Sequence, residues 1–129
     1  SAARVVAFQP TDFYPYVNSQ PKYPGGLEAF QQFIDGIGLD LADFMPETGP
    51  RRLYIDVDFV VDQKGNVVNV KPSARANNEM NNLIIDRFEA MPTWVPASRQ
   101  DKAVPMKLVQ NIVVEARPKA PEIKKADDE

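Results

Sequence analysis

Three aspartates, Asp56, Asp58 and Asp62, are the residues whose type and spacing could do chemistry. Their even numbers place them on one face of a predicted strand, where same-face neighbours lie about 6.5–7 Å apart and could bridge one cation. Hard cations, however, prefer six or more oxygen ligands in a loop cage. We therefore interpret the three carboxylates as the solvated face of a sheet, and we expect no metal site.

The composition removes most other catalytic chemistry. The 129 residues include no histidine and no cysteine, which excludes the usual general base near neutral pH, thiolate chemistry and disulfides. An enzyme would depend on carboxylates, Lys107 or Tyr54, and no pattern brings such groups together. Gly25-Gly26 lacks the lysine that follows in a phosphate-binding loop. We expect no enzymatic activity, no cofactor and no small-molecule substrate.

The net charge of −3 argues against nucleic-acid binding, which needs an excess of Lys and Arg on one face. No apolar run has the length of a membrane span, and no signal peptide is visible. The length suits one domain with short appendages, and we expect the chain to be a soluble piece of a larger protein. We predict an extended arm rich in aromatics and proline over 1–19, a folded domain over 20–116 and a charged flexible tail over 117–129.

Two segments have helical periodicity. Apolar residues recur every three or four positions over 26–37, starting at Leu27, and the glycines at 36 and 38 indicate the end of this helix. A second apolar stripe predicts a helix over 79–91, with Asn77 or Asn78 as its N-cap and Pro92 as its stop.

Alternating apolar residues over 53–62 predict a strand that is buried on one face. A turn containing Gly65 leads into a second, valine-rich strand that ends at Pro72. A last strand is predicted over 104–115, where Gln110 interrupts the alternation and indicates a bulge or a shifted register. The run from Arg4 to Phe8 is a candidate for one more short strand.

This order of elements predicts an α+β fold. A three-stranded antiparallel sheet with the first hairpin strand in its centre carries both helices on one face, and the extended N-terminal arm is added to it.

Three motifs carry a family resemblance over residues 20–115. They are Gln20-Pro21-Lys22-Tyr23-Pro24 before the first helix, the hairpin over 57–70, and Trp94-Val95-Pro96 after the second helix. In this order they resemble the C-terminal domain of TonB-type energy-transducing proteins, in the branch with Pro-Gly-Gly before the helix. The chain departs from the family at Arg51-Arg52, where a glycine is common, in its acidic loop over 39–52 and in its charged tail.

The resemblance implies a periplasmic domain, tethered to the inner membrane by a missing N-terminal anchor that reaches a motor complex. Such domains bind the TonB box of outer-membrane transporters by β-strand addition and transmit energy from the proton-motive force for nutrient uptake. The candidate peptide-binding residues are Gln20, by its motif match, and Lys107, Val109, Asn111 and Val113 on the last strand. The candidate structural anchors are Tyr23, Pro24, Phe59, Gly65, Trp94 and Pro96.

Three questions remain open at this point. The same fold would also suit an accessory or protein-interaction domain of a membrane-bound sensor or signalling protein. An exposed sheet edge also permits a homodimer. The arm could itself cover the docking edge, in which case it would be autoinhibitory and deletion of residues 1–19 should tighten peptide binding.

Overall fold

An antiparallel sheet with two α-helices on one face forms the protein, as predicted. The structure is a computed structural model that describes residues 17–118 and, through the backbone alone, residues 4–10. The elements in chain order are β1 (Arg4–Pro10), α1 (Gly26–Leu41), β2 (Arg52–Val61), β3 (Val67–Pro72), α2 (Asn78–Glu89), β4 (Ala97–Arg99), β5 (Lys102–Val104) and β6 (Met106–Glu115). A short 3₁₀ turn, Ala42–Phe44, follows α1.

The predicted three-stranded core is β6-β2-β3, with β2 in the centre. Its odd-numbered side chains are buried from Ile55 to Val61, whereas Tyr54 and Asp56 are exposed on the other face. Helix α1 packs on β6 and α2 packs on β3. One apolar core therefore fills the space between the two helices and one face of the sheet.

Helix α1 continues past the glycines that were predicted to end it. Gly38 is buried, and a Cβ built on it would lie 2.7 Å from the Val113 carbonyl oxygen of β6. The glycine is therefore the contact point at which the helix approaches the sheet backbone. The helix adds one more turn and buries Leu41 completely. The predicted stop was wrong because this tertiary contact outweighs the low helix propensity of glycine.

Helix α2 begins as the sequence predicts. The Asn77 side chain accepts a hydrogen bond from the Met80 N–H at 2.9 Å, which confirms it as the N-cap. Its side-chain amide also donates to the Phe44 carbonyl at 2.9 Å. The cap therefore also fixes the start of α2 to the 3₁₀ turn that follows α1.

The last predicted strand is divided in two, and Pro105 separates β5 from β6. Strand β5 pairs with β4 in a small separate hairpin. The pairing of β6 with β2 runs without a break from Glu115 to Met106, so the irregularity predicted at Gln110 is absent from this pair of strands. Gln110 instead keeps its place on the core-facing side, and it is fully buried.

Strand β1 extends the core to a four-stranded sheet in the order β1-β6-β2-β3. It pairs antiparallel with β6, from Arg4 opposite Asn111 to Pro10 opposite Met106. The register shifts between Val5, opposite Gln110, and Ala7, opposite Val109, so β1 carries one extra residue there. The shifted register predicted at Gln110 is therefore present in this pair of strands. The strand considered over Arg4 to Phe8 is therefore present and extends to Pro10.

Candidate peptide-docking site

The edge of β6 that was predicted to receive a peptide is occupied by β1. Lys107 stands opposite Gln9, Val109 opposite Ala7, and Asn111 opposite Arg4. The prediction that β6 borders the three-stranded core is correct, but its outer edge is not free over this stretch. The described β1 register stops at Asn111, so Val113 lies beyond it.

The side chains of these β6 residues project from the open face of the sheet. The Lys107 ammonium lies 3.5 Å from the Asp58 carboxylate, and the Asn111 amide donates to Asp56 at 3.1 Å. Half-exposed contacts of this kind contribute little to stability. These contacts direct the Lys107 and Asn111 side chains toward β2. The groups of β6 that could bind a strand at its outer edge are therefore its main-chain N–H and C=O groups.

The Asp56 and Asp58 carboxylates therefore face side chains of β6. Asp62 instead accepts hydrogen bonds from the Lys64 and Asn66 backbone N–H groups at 2.9 and 2.8 Å, which closes the hairpin turn. No group of three acidic, histidine or cysteine side chains in the described residues could hold a metal ion.

Gln20 is exposed and lies in a segment that pairs with the loop after α2. Its neighbours Ser19 and Lys22 form isolated antiparallel bridges with Ser98 and Val95. Lys22 and Val95 exchange two backbone hydrogen bonds of 2.8 and 2.9 Å. The structure therefore places Gln20 along the loop after α2, on a segment that does not pair with β6.

Three of the predicted structural anchors, Tyr23, Phe59 and Trp94, form an aromatic cluster with Phe30 under this loop. Tyr23 and Phe30 have ring centroids 5.2 Å apart, and Trp94 lies 5.4 Å from Tyr23 and 5.9 Å from Phe59. Trp94 is buried, and its indole N–H points to the Met91 sulfur at 3.4 Å. The cluster joins the segment before α1 to the segment after α2, because both contribute rings to it.

The burial of the prolines differs from the prediction that Pro24 and Pro96 are structural anchors. Pro24 is exposed, Pro96 is half-buried and Pro21 is the buried proline of the first motif. Pro24 is therefore a turn residue, and the packing role predicted for it belongs to Pro21. The two glycines after it both have positive φ, 87° at Gly25 and 85° at Gly26, which the turn into α1 requires.

A groove that the sequence did not predict opens beside this cluster. It has a volume of about 370 Å³ and is lined by Pro21, Lys22, Tyr23, Gly26, Leu27, Phe30, Trp94 and Leu108. Leu27 was predicted on the buried stripe of α1, but it is 64% exposed at the rim. The sequence feature that could have indicated this groove is the number of aromatic residues and prolines around the Tyr23 motif, which is larger than a turn requires.

Burial raises the pKa of the Tyr23 phenol above its usual value of 10.0. The physical cause is that the charged phenolate loses hydration among apolar neighbours. The raised pKa of the Tyr23 phenol therefore reflects its apolar surroundings at the groove.

The residues that depart from the family pattern support the end of the sheet remote from this groove. Arg51 donates to the Pro46 carbonyl at 2.6 Å, and Arg52 pairs with Glu115 at 2.8 Å. Arg117 forms an ion pair with Asp43 and donates to the Leu39 carbonyl. The first residue of the predicted flexible tail is thus held against the last turn of α1 and the 3₁₀ turn that follows it.

No protein-family model matches this chain, and no curated protein and no solved structure is significantly similar to it. In the described part of the chain, neither helix has both the length and the hydropathy that crossing a membrane requires.

Proposed function

We propose that the chain is a periplasmic TonB-type C-terminal domain. It docks the TonB box of outer-membrane transporters by β-strand addition at β6 and transmits energy from the proton-motive force for nutrient uptake. The link to the motor complex runs through an N-terminal anchor outside this sequence. The observation that carries the proposal is the antiparallel pairing of the outer edge of β6 with an extended segment, β1.

A strand that pairs in this way is held by main-chain hydrogen bonds, and these are available to many peptide sequences. This tolerance suits a coupling protein that serves several transporters. A docked strand pulled along its length loads its hydrogen bonds together, because they lie across the direction of the force. The edge therefore combines broad recognition with resistance to tension.

Strand β1 is an imperfect partner for β6, which supports its exchange for a peptide. The register shift between Val5 and Ala7 leaves an extra residue, and the pairing is disturbed there. Pro10 has no N–H to donate to the ladder. A peptide that lacks both features would form a more regular ladder on the same edge.

The test is an NMR titration of the isotopically labelled chain with N-terminal peptides of outer-membrane transporters from the same organism. We expect amide shifts concentrated on β6 and tighter binding when residues 1–10 are deleted. This deletion is preferable to one of residues 1–19, because Ser19 and Asn18 make backbone hydrogen bonds with Ser98. Scrambled peptides of the same composition provide the control.

Unchanged affinity after the deletion would contradict the view that β1 competes for the site. Shifts concentrated on β3 would move the docking edge to the other side of the sheet. A folded protein that shows no shifts with any peptide would overturn the proposal, and an accessory domain of a sensor would then be the better hypothesis.

A further inference from the structure

The groove beside the aromatic cluster reaches β6 at Leu108. Leu108 lies on the core-facing side of β6 and also lines the groove, together with Tyr23, Phe30 and Trp94. Among the described residues the rest of its lining is mostly apolar, and Lys22 is the one charged residue there. Its volume of about 370 Å³ falls within the range of pockets that hold ligands.

The register of β1 shows which position of a docked strand meets this groove. The residue of β1 opposite Leu108 is Phe8. Residues directly opposite in an antiparallel pair have Cβ atoms about 4.5–5.5 Å apart on the same face of the sheet. Any peptide that takes this register therefore presents one side chain next to Leu108, on the face where the groove opens.

We propose that the groove selects docked peptides by this one side chain, and that it takes a large apolar residue, preferably aromatic. This inference rests on the proposed strand addition at β6 and adds sequence specificity to it. Main-chain pairing gives an affinity that does not depend on the peptide sequence. A pocket that binds one side chain of the peptide gives specificity between peptides. The ring edges and faces of the cluster favour an aromatic partner.

The first test uses synthetic peptides with the sequence of residues 2–11, in which the position of Phe8 is Phe, Leu, Ala or Lys. The protein is the full chain carrying Ala7→Pro and Phe8→Pro. Successive N–H groups of a strand point to opposite edges, so this pair of substitutions removes at least one N–H that faces β6. The described core runs from Phe30 to Val114, so we expect the fold to persist.

Trp94 is the single tryptophan of the chain and lines the groove, so its emission reports occupancy directly. We expect the Phe peptide to bind about tenfold more tightly than the Ala peptide, as burial of a large apolar side chain predicts. The Lys peptide should bind no better than the Ala peptide. The unsubstituted chain, measured in parallel, should give the same order with weaker affinities because β1 is still present.

A pair of helix variants then separates the groove from the edge. Leu27→Ser alters the rim of the groove. It should weaken binding of the Phe peptide about threefold and leave the affinity of the Ala peptide unchanged. Leu39→Ser is the matched control, because Leu39 is 67% exposed on the same helix and does not line the groove. It should change neither affinity.

Equal binding of the Phe and Ala peptides, with shifts on β6 and no change in Trp94 emission, would overturn side-chain selection and leave strand docking intact. Complete absence of peptide binding to β6 in the folded protein would overturn both proposals. Equal effects of Leu27→Ser and Leu39→Ser would also count against the groove as the selecting element.

Discussion

Gly65 and Trp94 are in direct backbone contact. The Trp94 N–H donates to the Gly65 carbonyl at 2.9 Å, and a Cβ built on Gly65 would lie 2.0 Å from the Trp94 carbonyl oxygen. Gly65 also has a φ of 87°. The hairpin turn and the loop after α2 are therefore joined at a point where no side chain fits.

Replacement of Gly65 by alanine should destabilise the fold by about 3 kcal/mol, from the strain of positive φ and the loss of the contact with Trp94. Gly49→Ala is the control, because Gly49 has a φ of 104° with no atom within 4 Å of the added Cβ. It should lose only about 1 kcal/mol. Urea unfolding measures both, and equal losses would contradict the role of the contact.

Gly36 and Gly38 of α1 should respond in opposite directions to alanine. Gly38→Ala places a Cβ against the Val113 carbonyl and should cost about 1–3 kcal/mol, because the helix must move away from β6. Gly36 has no atom within 4 Å of a built Cβ, so Gly36→Ala should stabilise by about 0.5–1 kcal/mol. The pair is compared by thermal or urea unfolding. Stabilisation by Gly38→Ala would show that the approach of helix and sheet is looser than described.

Tyr23 should make stability depend on pH in the alkaline range. Its pKa is raised in the folded state by burial, so its stabilising contribution is complete below about pH 10 and is lost as pH rises through the folded pKa. Unfolding free energies of the parent and of Tyr23→Phe, measured at about pH 8 and about pH 11, should show a steeper loss in the parent. Identical losses in the two proteins would contradict this assignment.

Gln110 should be replaceable by methionine with a gain in stability. Its side chain is fully buried; its amide donates to the Asn111 carbonyl at 2.8 Å, and its Oε1 has no hydrogen-bond partner among the described residues. Gln110→Met removes the unsatisfied oxygen and should stabilise by about 1 kcal/mol. Gln110→Glu is the opposite control and should destabilise strongly, because it buries a charge. A loss of stability in Gln110→Met would indicate that the oxygen is bound.

Local patterns were sufficient for most of the fold. The alternation in β2, the hairpin turn at Gly65 and the Asn77 cap each depend on residues close in sequence, so short-range rules describe them. These rules failed at Gly38, where a contact with the distant strand β6 determines that the helix continues. They also missed β4, whose Ala97-Ser98-Arg99 has no periodicity that marks a strand.

The candidate site was less predictable for a similar reason. Lys107, Val109 and Asn111 were correctly placed along one strand, but the pairing of that strand with β1 joins opposite ends of the chain. No pattern within either segment specifies the other. The groove was missed because its lining comes from four separate parts of the chain: the segment before α1, α1 itself, the loop after α2, and β6. In addition, Leu27 lies at an apolar position of the α1 repeat, where a core residue is expected.

In the docking that we propose, β1 and an incoming peptide compete for one edge of β6. Because β1 is part of the same chain, this competition would not depend on how much protein is present. A tethered competitor acts at an effective concentration that is of order millimolar for short connections. Under this proposal, a transporter peptide would have to exceed this level locally or form a better ladder on β6. Weak peptides would be rejected when they diffuse freely, and they would be accepted once a transporter holds them close to the edge. On the same proposal, the fold would set a threshold that responds to proximity more than to bulk abundance.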